Sequence, residues 1–221
     1  MQLRRRQLRR RFRLDPSCVL YLPLYELDGN SFQSKDRYGH LATVTGATWT
    51  PRGRKFDGTD DRIIVPNSAP LQITPAITYE FWVNQSVLKD TAVFLSNNVA
   101  GVPNVLIRST NGGFYAVLQS ANSQALTIIN EASHFTAGAW YHIVVTVSSG
   151  VGIAYKNGVQ VGTATNALMN SIAMTTQFEI GRDSREVDYL NGYIGEVRIY
   201  NRALTVSEIL RIYQATRFRY Q

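Results

Sequence analysis

The chain has 221 residues and a formal charge of +7. Its first thirteen residues hold seven arginines and no acid, so 23 basic residues less these 7 leave 16 against 16 acidic ones: the body is formally neutral and the excess charge sits in a basic N-terminal arm. No apolar run approaches the roughly 20 residues of a membrane helix, and the lone Cys18 rules out an internal disulfide framework.

The arm, residues 1–17, carries Arg4, Arg5, Arg6, Arg9, Arg10, Arg11 and Arg13. Leu8 and Phe12 lie four apart and would share one face of a helix. Three uses compete for such an arm: a solvated tail, a nucleic-acid contact through phosphate neutralisation, and an anchor lying on a neighbouring subunit. The apolar stretch that follows, residues 18–24, is short and contains Pro23, and no small-residue cleavage site comes after it. No secretory signal is recognised on this pattern. Cys18 is expected to be a buried strand residue.

From residue 18 the chain reads as many short strands bounded by Gly, Asn, Ser and Pro: CVLYLPLY, DRIIVP, ITYEFWV, TAVFLS, NVLIRS, GFYAVLQ, ALTIIN, WYHIVVTV, VGIAYKNGVQV, QFEIG and YIGEVRIY. Tyr79, Phe81 and Val83 alternate with Glu80 and Trp82, and His142, Val144 and Thr146 alternate with Tyr141, Ile143, Val145 and Val147. Trp82 and Trp140 are expected to anchor the sheets. Asn157-Gly158 predicts a tight type I′ hairpin. Thr205-Val206-Ser207-Glu208 reads as a capping box opening a helix over about 205–214, with Val206, Ile209, Leu210 and Tyr213 as its apolar stripe. The last residues, TRFRYQ, read as a basic tail over 215–221. If extended, it puts Arg217 and Arg219 on one side and Phe218 and Tyr220 on the other. The expectation is an all-β sandwich with one short C-terminal helix, a single domain over 18–214 between two basic termini.

The segments GRKFDGTDDRIIVP, ITYEFWV, WYHIVVTVSSGVGIAYKNGVQVGT, FEIGR and YLNGYIGEVRIYNRALTVSEI resemble, in order and spacing, a laminin-G-like domain of the concanavalin A-like lectin/glucanase superfamily. The resemblance spans about residues 18–214 and implies a jelly roll of two antiparallel sheets. Some glucanases of this superfamily carry Glu-x-Asp-x-(x)-Glu on one strand. Here Glu186-Val187-Asp188-Tyr189-Leu190-Asn191 ends in an amide, which cannot act as general acid or base, so no glycosidase chemistry is expected. His40, His134 and His142 show no metal-ligand spacing, and neither a nucleophile elbow nor a phosphate-binding loop is present.

The resemblance also implies a structural calcium ion at a loop edge. Oxygen donors for it would come from Asp28, Asn30, Asp36, Asp57, Asp60, Asp61 and Asp183, with Glu196 standing where the family commonly has Asp-Glu and this chain has Gly195-Glu196. Against calcium stands the plainer reading of FDGTDD as a tight acidic turn. Tyr38, Tyr115, Tyr189 and Tyr193 are loop-edge aromatics able to stack on a sugar ring.

The termini and the opening YLPLYELDG…GATWTPRGRKFDGTDD look similar to laminin-G-like virion proteins of bacterial viruses. On this reading the chain is a non-catalytic binding and assembly protein. Its partners are other protein subunits, as a homo-oligomer or virion shell, held through the seven arginines, Leu8, Phe12, Arg217 and Arg219. It would sit in a virion or other particle assembled in the cytoplasm. Cell-surface glycan and nucleic acid are further partners, and the alternatives are a stand-alone carbohydrate-binding module and a nucleic-acid-associated protein.

Overall fold

A computed structural model describes residues 14–221 except 73–74, 100–101, 121–123, 131–133, 170–171, 173–175, 184 and 186. The arm from Arg4 to Arg13, with Leu8 and Phe12, lies outside the described residues, as does Glu186.

Among the described residues sixteen strands occur in chain order: β1 (Cys18–Leu22), β2 (Ser31–Gln33), β3 (Leu41–Thr45), β4 (Thr48–Thr50), β5 (Gly53–Asp57), β6 (Arg62–Val65), β7 (Ala76–Gln85), β8 (Thr91–Val99), β9 (Val102–Thr110), β10 (Gly113–Gln119), β11 (Ala125–Asn130), β12 (Trp140–Ser148), β13 (Val151–Lys156), β14 (Val159–Thr165), β15 (Phe178–Ile180) and β16 (Asn191–Tyr200). The helix α1 spans Val206–Thr216. The first sheet runs β14-β13-β12-β7-β16-β5-β4, with β1 also paired to β16. The second runs β11-β10-β9-β8-β15-β6-β3-β2. Every pairing among these strands is antiparallel.

The inner faces meet through aromatics. Phe81 on β7 packs at 5.8 Å from Phe94 on β8, and Tyr79 stacks at 6.3 Å on Phe178 of β15. At one edge the sheets come closer still. A Cβ at Gly152 or Gly162 would run into Leu126 or Ile128 of β11, so glycine is what lets β13 and β14 lie against it. The Asn157-Gly158 hairpin forms as expected, both residues at positive φ (54° and 80°).

The two sheets differ on their outer faces. β10 and β11 alternate buried and solvated residues, as a sheet with one wet face does. β7 is buried almost throughout, because its outer face is covered as well. The cover is α1, which makes a second, smaller core: Ile209 and Leu204 pack on Cys18, Val144, Tyr155 and Tyr200, with Leu14 and Ile212 at its margin.

Two expectations need correction here. Val206 and Leu210 of the predicted stripe are exposed, and the covering face is Ile209, Ile212 and Tyr213. Residues 215–221 are not an extended tail. The helix continues to Thr216, a 3-10 turn covers Arg217–Arg219, and Tyr220 is buried. Among the described residues no helix is long and apolar enough to cross a membrane.

Candidate functional site

Antiparallel register sets the chemistry under α1. Pairing of β7 with β16 puts Glu80 opposite Arg198, and pairing with β12 puts Trp82 opposite His142. Arg198 donates to Glu80 Oε1 at 2.6 Å and to Glu196 Oε2 at 3.0 Å. Tyr200 donates to Glu80 Oε2 at 2.9 Å, and His142 Nε2 lies 3.2 Å from Oε1. Burial pushes the Glu80 carboxyl up, but Arg198, His142 and Tyr200 together outweigh it and hold its pKa at about 2. Glu196 goes the other way: burial raises it, Arg198 opposes, and the charge on Glu80 raises it further.

Two carboxyls with pKa values pushed apart are the electrostatic signature of acid–base catalysis. Here both are fully buried, Glu80 engaged through both oxygens and Glu196 through Oε2 while its Oε1 has no partner, and neither has a face open to a sugar, so the cluster is a structural ion network. Cys18 nearby is inert, its thiol pushed up to about 12 by burial. A cleft of about 680 Å³ runs beside the network between α1 and the start of the described chain, lined by Leu14, Asp15, Arg198, Arg202 and Ile212 among others. Arg202 closes one side, bridging Asp15 at 2.5 Å and Glu208 at 2.7 Å. The start of the described chain, at Leu14 and Asp15, therefore lies against α1.

Trp82 and Trp140 are sheet-face anchors, as expected. Tyr220 stacks on Trp82 with ring centroids 4.4 Å apart and packs tilted against Trp140 at 4.8 Å, and Trp82 Nε1 donates to Thr216 Oγ1. Arg219 lies 3.6 Å over the Tyr25 ring, so it is committed to packing rather than held out as a tail charge. Arg217 is exposed and stands 6.0 Å from Tyr213.

The expected calcium ligands do not come together as a set. Asp57, Asp60 and Asp61 place carboxylate oxygens within 4.8 Å of one another. Asp57 and Asp61 already accept the Thr59 and Asp57 amides, and Lys89 Nζ holds the Gly58 carbonyl at 2.7 Å. Asp28 faces Lys35 at 3.5 Å, Asp36 accepts the Tyr21, Tyr38 and Gly39 amides, and Glu196 is sealed beside Arg198. Asp183 pairs with Arg185 at 2.6 Å. Calcium takes six to eight oxygens; a three-carboxylate turn with an ammonium on its central carbonyl does not fit it. Burial raises the Asp61 carboxyl, and the neighbouring Asp57 and Asp60 charges raise it further.

The four tyrosines are likewise dispersed. Tyr193 leans on Trp140 at 6.1 Å, on the first sheet. Tyr38 sits in the β2–β3 turn under Arg37. Tyr189 precedes β16 and gives its carbonyl to Lys89. Tyr115 lines a cleft of about 320 Å³ on the open second sheet. Register makes a row of Arg108, Tyr115 and Ile129 across β9, β10 and β11. Thr110, Asn111 and His134 complete the rim. Asn111-Gly112, at φ 49° and 79°, turns the β9–β10 hairpin beneath it. Sequence reasoning singled out Tyr115 but missed Arg108, whose place beside it depends on strand register.

The fold and this open face define a lectin-like module. Residues 57–210 match the laminin-G-like family of the concanavalin A-like lectin/glucanases superfamily, and the chain belongs to that family. No curated protein sequence matches it. Among solved structures it is similar to the binding domain of botulinum neurotoxin serotype D (16% identity, TM-score 0.73, covering 91% of this chain and 52% of that one). It is similar as well to the serotype D ligand binding domain in complex with N-acetylneuraminic acid (16%, TM-score 0.75, 91% and 51%). The binding domain of Paraclostridial Mosquitocidal Protein 1 is a third (16%, TM-score 0.71, 90% and 52%). The chain spans about half the length of these structures, and at such identity the likeness shows the fold alone.

Proposed function

We propose that the protein is a non-catalytic recognition module of a larger particle, binding cell-surface glycan through the open sheet and held in its assembly by the opposite, basic pole. The observation that carries this is the inequality of the two outer faces. One is closed by α1 and Tyr220 over a buried ion network, and the other is left wet with the Tyr115 cleft on it. An aromatic side chain flanked by hydrogen-bonding groups in a shallow cleft suits a sugar ring. Solved neighbours named as receptor-binding or ligand-binding domains, one of them holding N-acetylneuraminic acid, support a cell-surface ligand. Similarity of the opening residues to virion laminin-G-like proteins supports a virus particle as the assembly.

A glycan array probed with the full chain is the test. Specific signals lost in Tyr115→Ala, in a variant whose melting is unchanged, are the expected result. A silent array, or signals indifferent to Tyr115→Ala, would remove the glycan reading and leave the assembly role alone.

A further inference from the structure

We propose that the Tyr115 cleft selects a carboxylate-bearing sugar, with Arg108 as the residue that reads the acid. This rests on the glycan-binding reading of the same cleft. The argument begins with what Arg108 does not do. Arg198 and Arg202 each grip two carboxylates, and Arg182 grips Glu179 at 2.5 Å. The Arg108 side chain makes no hydrogen bond to a described residue. Among the described residues its one ion-pair partner is Asp188, at Oδ2 and 4.0 Å, the outer limit of an ion pair, and its Nε is buried without a partner. The Thr110 hydroxyl on the same rim is also buried and unpartnered. Native proteins leave few such groups unsatisfied, and each is costly to keep dry.

The guanidinium is positioned all the same. Its Cζ lies 4.5 Å over the Tyr115 ring, and the side chain is 21% exposed. A guanidinium resting on an aromatic ring keeps its in-plane N–H fork free for two parallel bonds to one carboxylate. Ile129, 55% exposed beside Tyr115 in register, offers the apolar contact that a sugar's C–H face needs. Asp188 is the group that a ligand carboxylate must displace, and at 32% exposure it can turn to solvent. A cleft of about 320 Å³ is at the small end of ligand sites and suits one or two sugar rings.

Matched pairs of probes test this, because they differ in the acid alone. They are the methyl glycoside of N-acetylneuraminic acid against its methyl ester, and glucuronate against glucose, titrated into the full chain by calorimetry or ligand-observed NMR. The expected result is that at least one acid binds clearly more tightly than its neutral twin. Arg108→Gln should weaken that acid by roughly ten- to a hundredfold, the scale of a charge-assisted bond, and Arg108→Lys should recover only part. If Arg108→Gln fails to fold, the preference of the unmodified chain for acid over neutral twin decides the matter. Equal binding of both members, lost in Tyr115→Ala and unmoved by Arg108→Gln, would overturn acid selection and leave the glycan site standing. Binding of no sugar, in titration or on the array, would overturn both.

Discussion

Arg198, between two buried carboxylates, is where a single substitution should cost most. The Glu80 carboxyl titrates near 4.5 when unfolded and at about 2 when folded. Between those values the unfolded chain takes up a proton that the folded chain refuses. The stability this group supplies is therefore whole above pH 4.5 and is lost as pH falls towards 2. Glu196 has the opposite sign: its raised pKa means that its ionisation weighs against the fold as pH rises past 4.5, and acid relieves it. Glu80 has the shorter ion pair and two further partners, so its sign should govern the parent below pH 4.5. Arg198→Met removes the cation and leaves both carboxyls buried, at a cost of about 3–5 kcal/mol. Both carboxyls then rise, by burial and mutual repulsion, and on acidification from pH 7 to 5 the variant should gain more stability than the parent, in which Glu196 alone of the pair is relieved over that range. Urea unfolding at the two pH values checks this, and a variant as stable as the parent at pH 7 would show that the network is dispensable.

At the level of elements, the C-terminal segment is tied to the sheet by one glycine. A Cβ at Gly195 would run into the Tyr220 ring, so the residue that breaks the family's Asp-Glu pattern is the one that lets Tyr220 lie on the β16 backbone between Trp82 and Trp140. Gly195→Ala should cost about 1–3 kcal/mol by overpacking. In the Tyr220→Ala background the same change should cost much less, a coupling that a double-mutant cycle of thermal or urea unfolding will read. Equal costs in both backgrounds would mean that the ring does not rest on that backbone. This contact also marks the limit of what the sequence made legible. The long strands, the hairpin at Asn157-Gly158 and the capping box, where Thr205 and Glu208 bond reciprocally, all rest on local pattern and were readable. β2 to β5, between Ser31 and Asp57, were not read as strands, because short polar runs carry no clear alternation. The Glu80–Arg198 pair and the Arg108–Tyr115 row are consequences of register between strands distant in sequence. Tyr220 was misread because helix continuation past residue 214 has no local stop signal, while an alternating RFRY looks extended.

For the whole molecule, the question is whether the basic arm belongs to the body's stability or to its partnerships. Among the described residues both cores are built from Leu14 onward, and Arg202 ties Asp15 to Glu208 near the start of the described chain. Deleting residues 1–13 removes seven positive charges and takes the formal charge from +7 to 0. Thermal unfolding should stay within a few degrees of the full chain, while retention on a cation exchanger is lost; a collapse of the melting temperature would make the arm part of the core. What the arm holds is separable by its two chemistries. If arginines grip phosphate, binding of the full chain to duplex DNA should fall by roughly 0.9 log units per contact for each log unit of salt, and Phe12→Ala should matter little. If Leu8 and Phe12 are buried on a protein neighbour, salt screens only the rim charges. Phe12→Ala should then release the protein from its particle at moderate salt, where the parent stays bound, as sedimentation of the assembled particle would show. Retention of Phe12→Ala in the particle, with tight and salt-sensitive DNA binding by the free chain, would transfer the arm from assembly to nucleic acid.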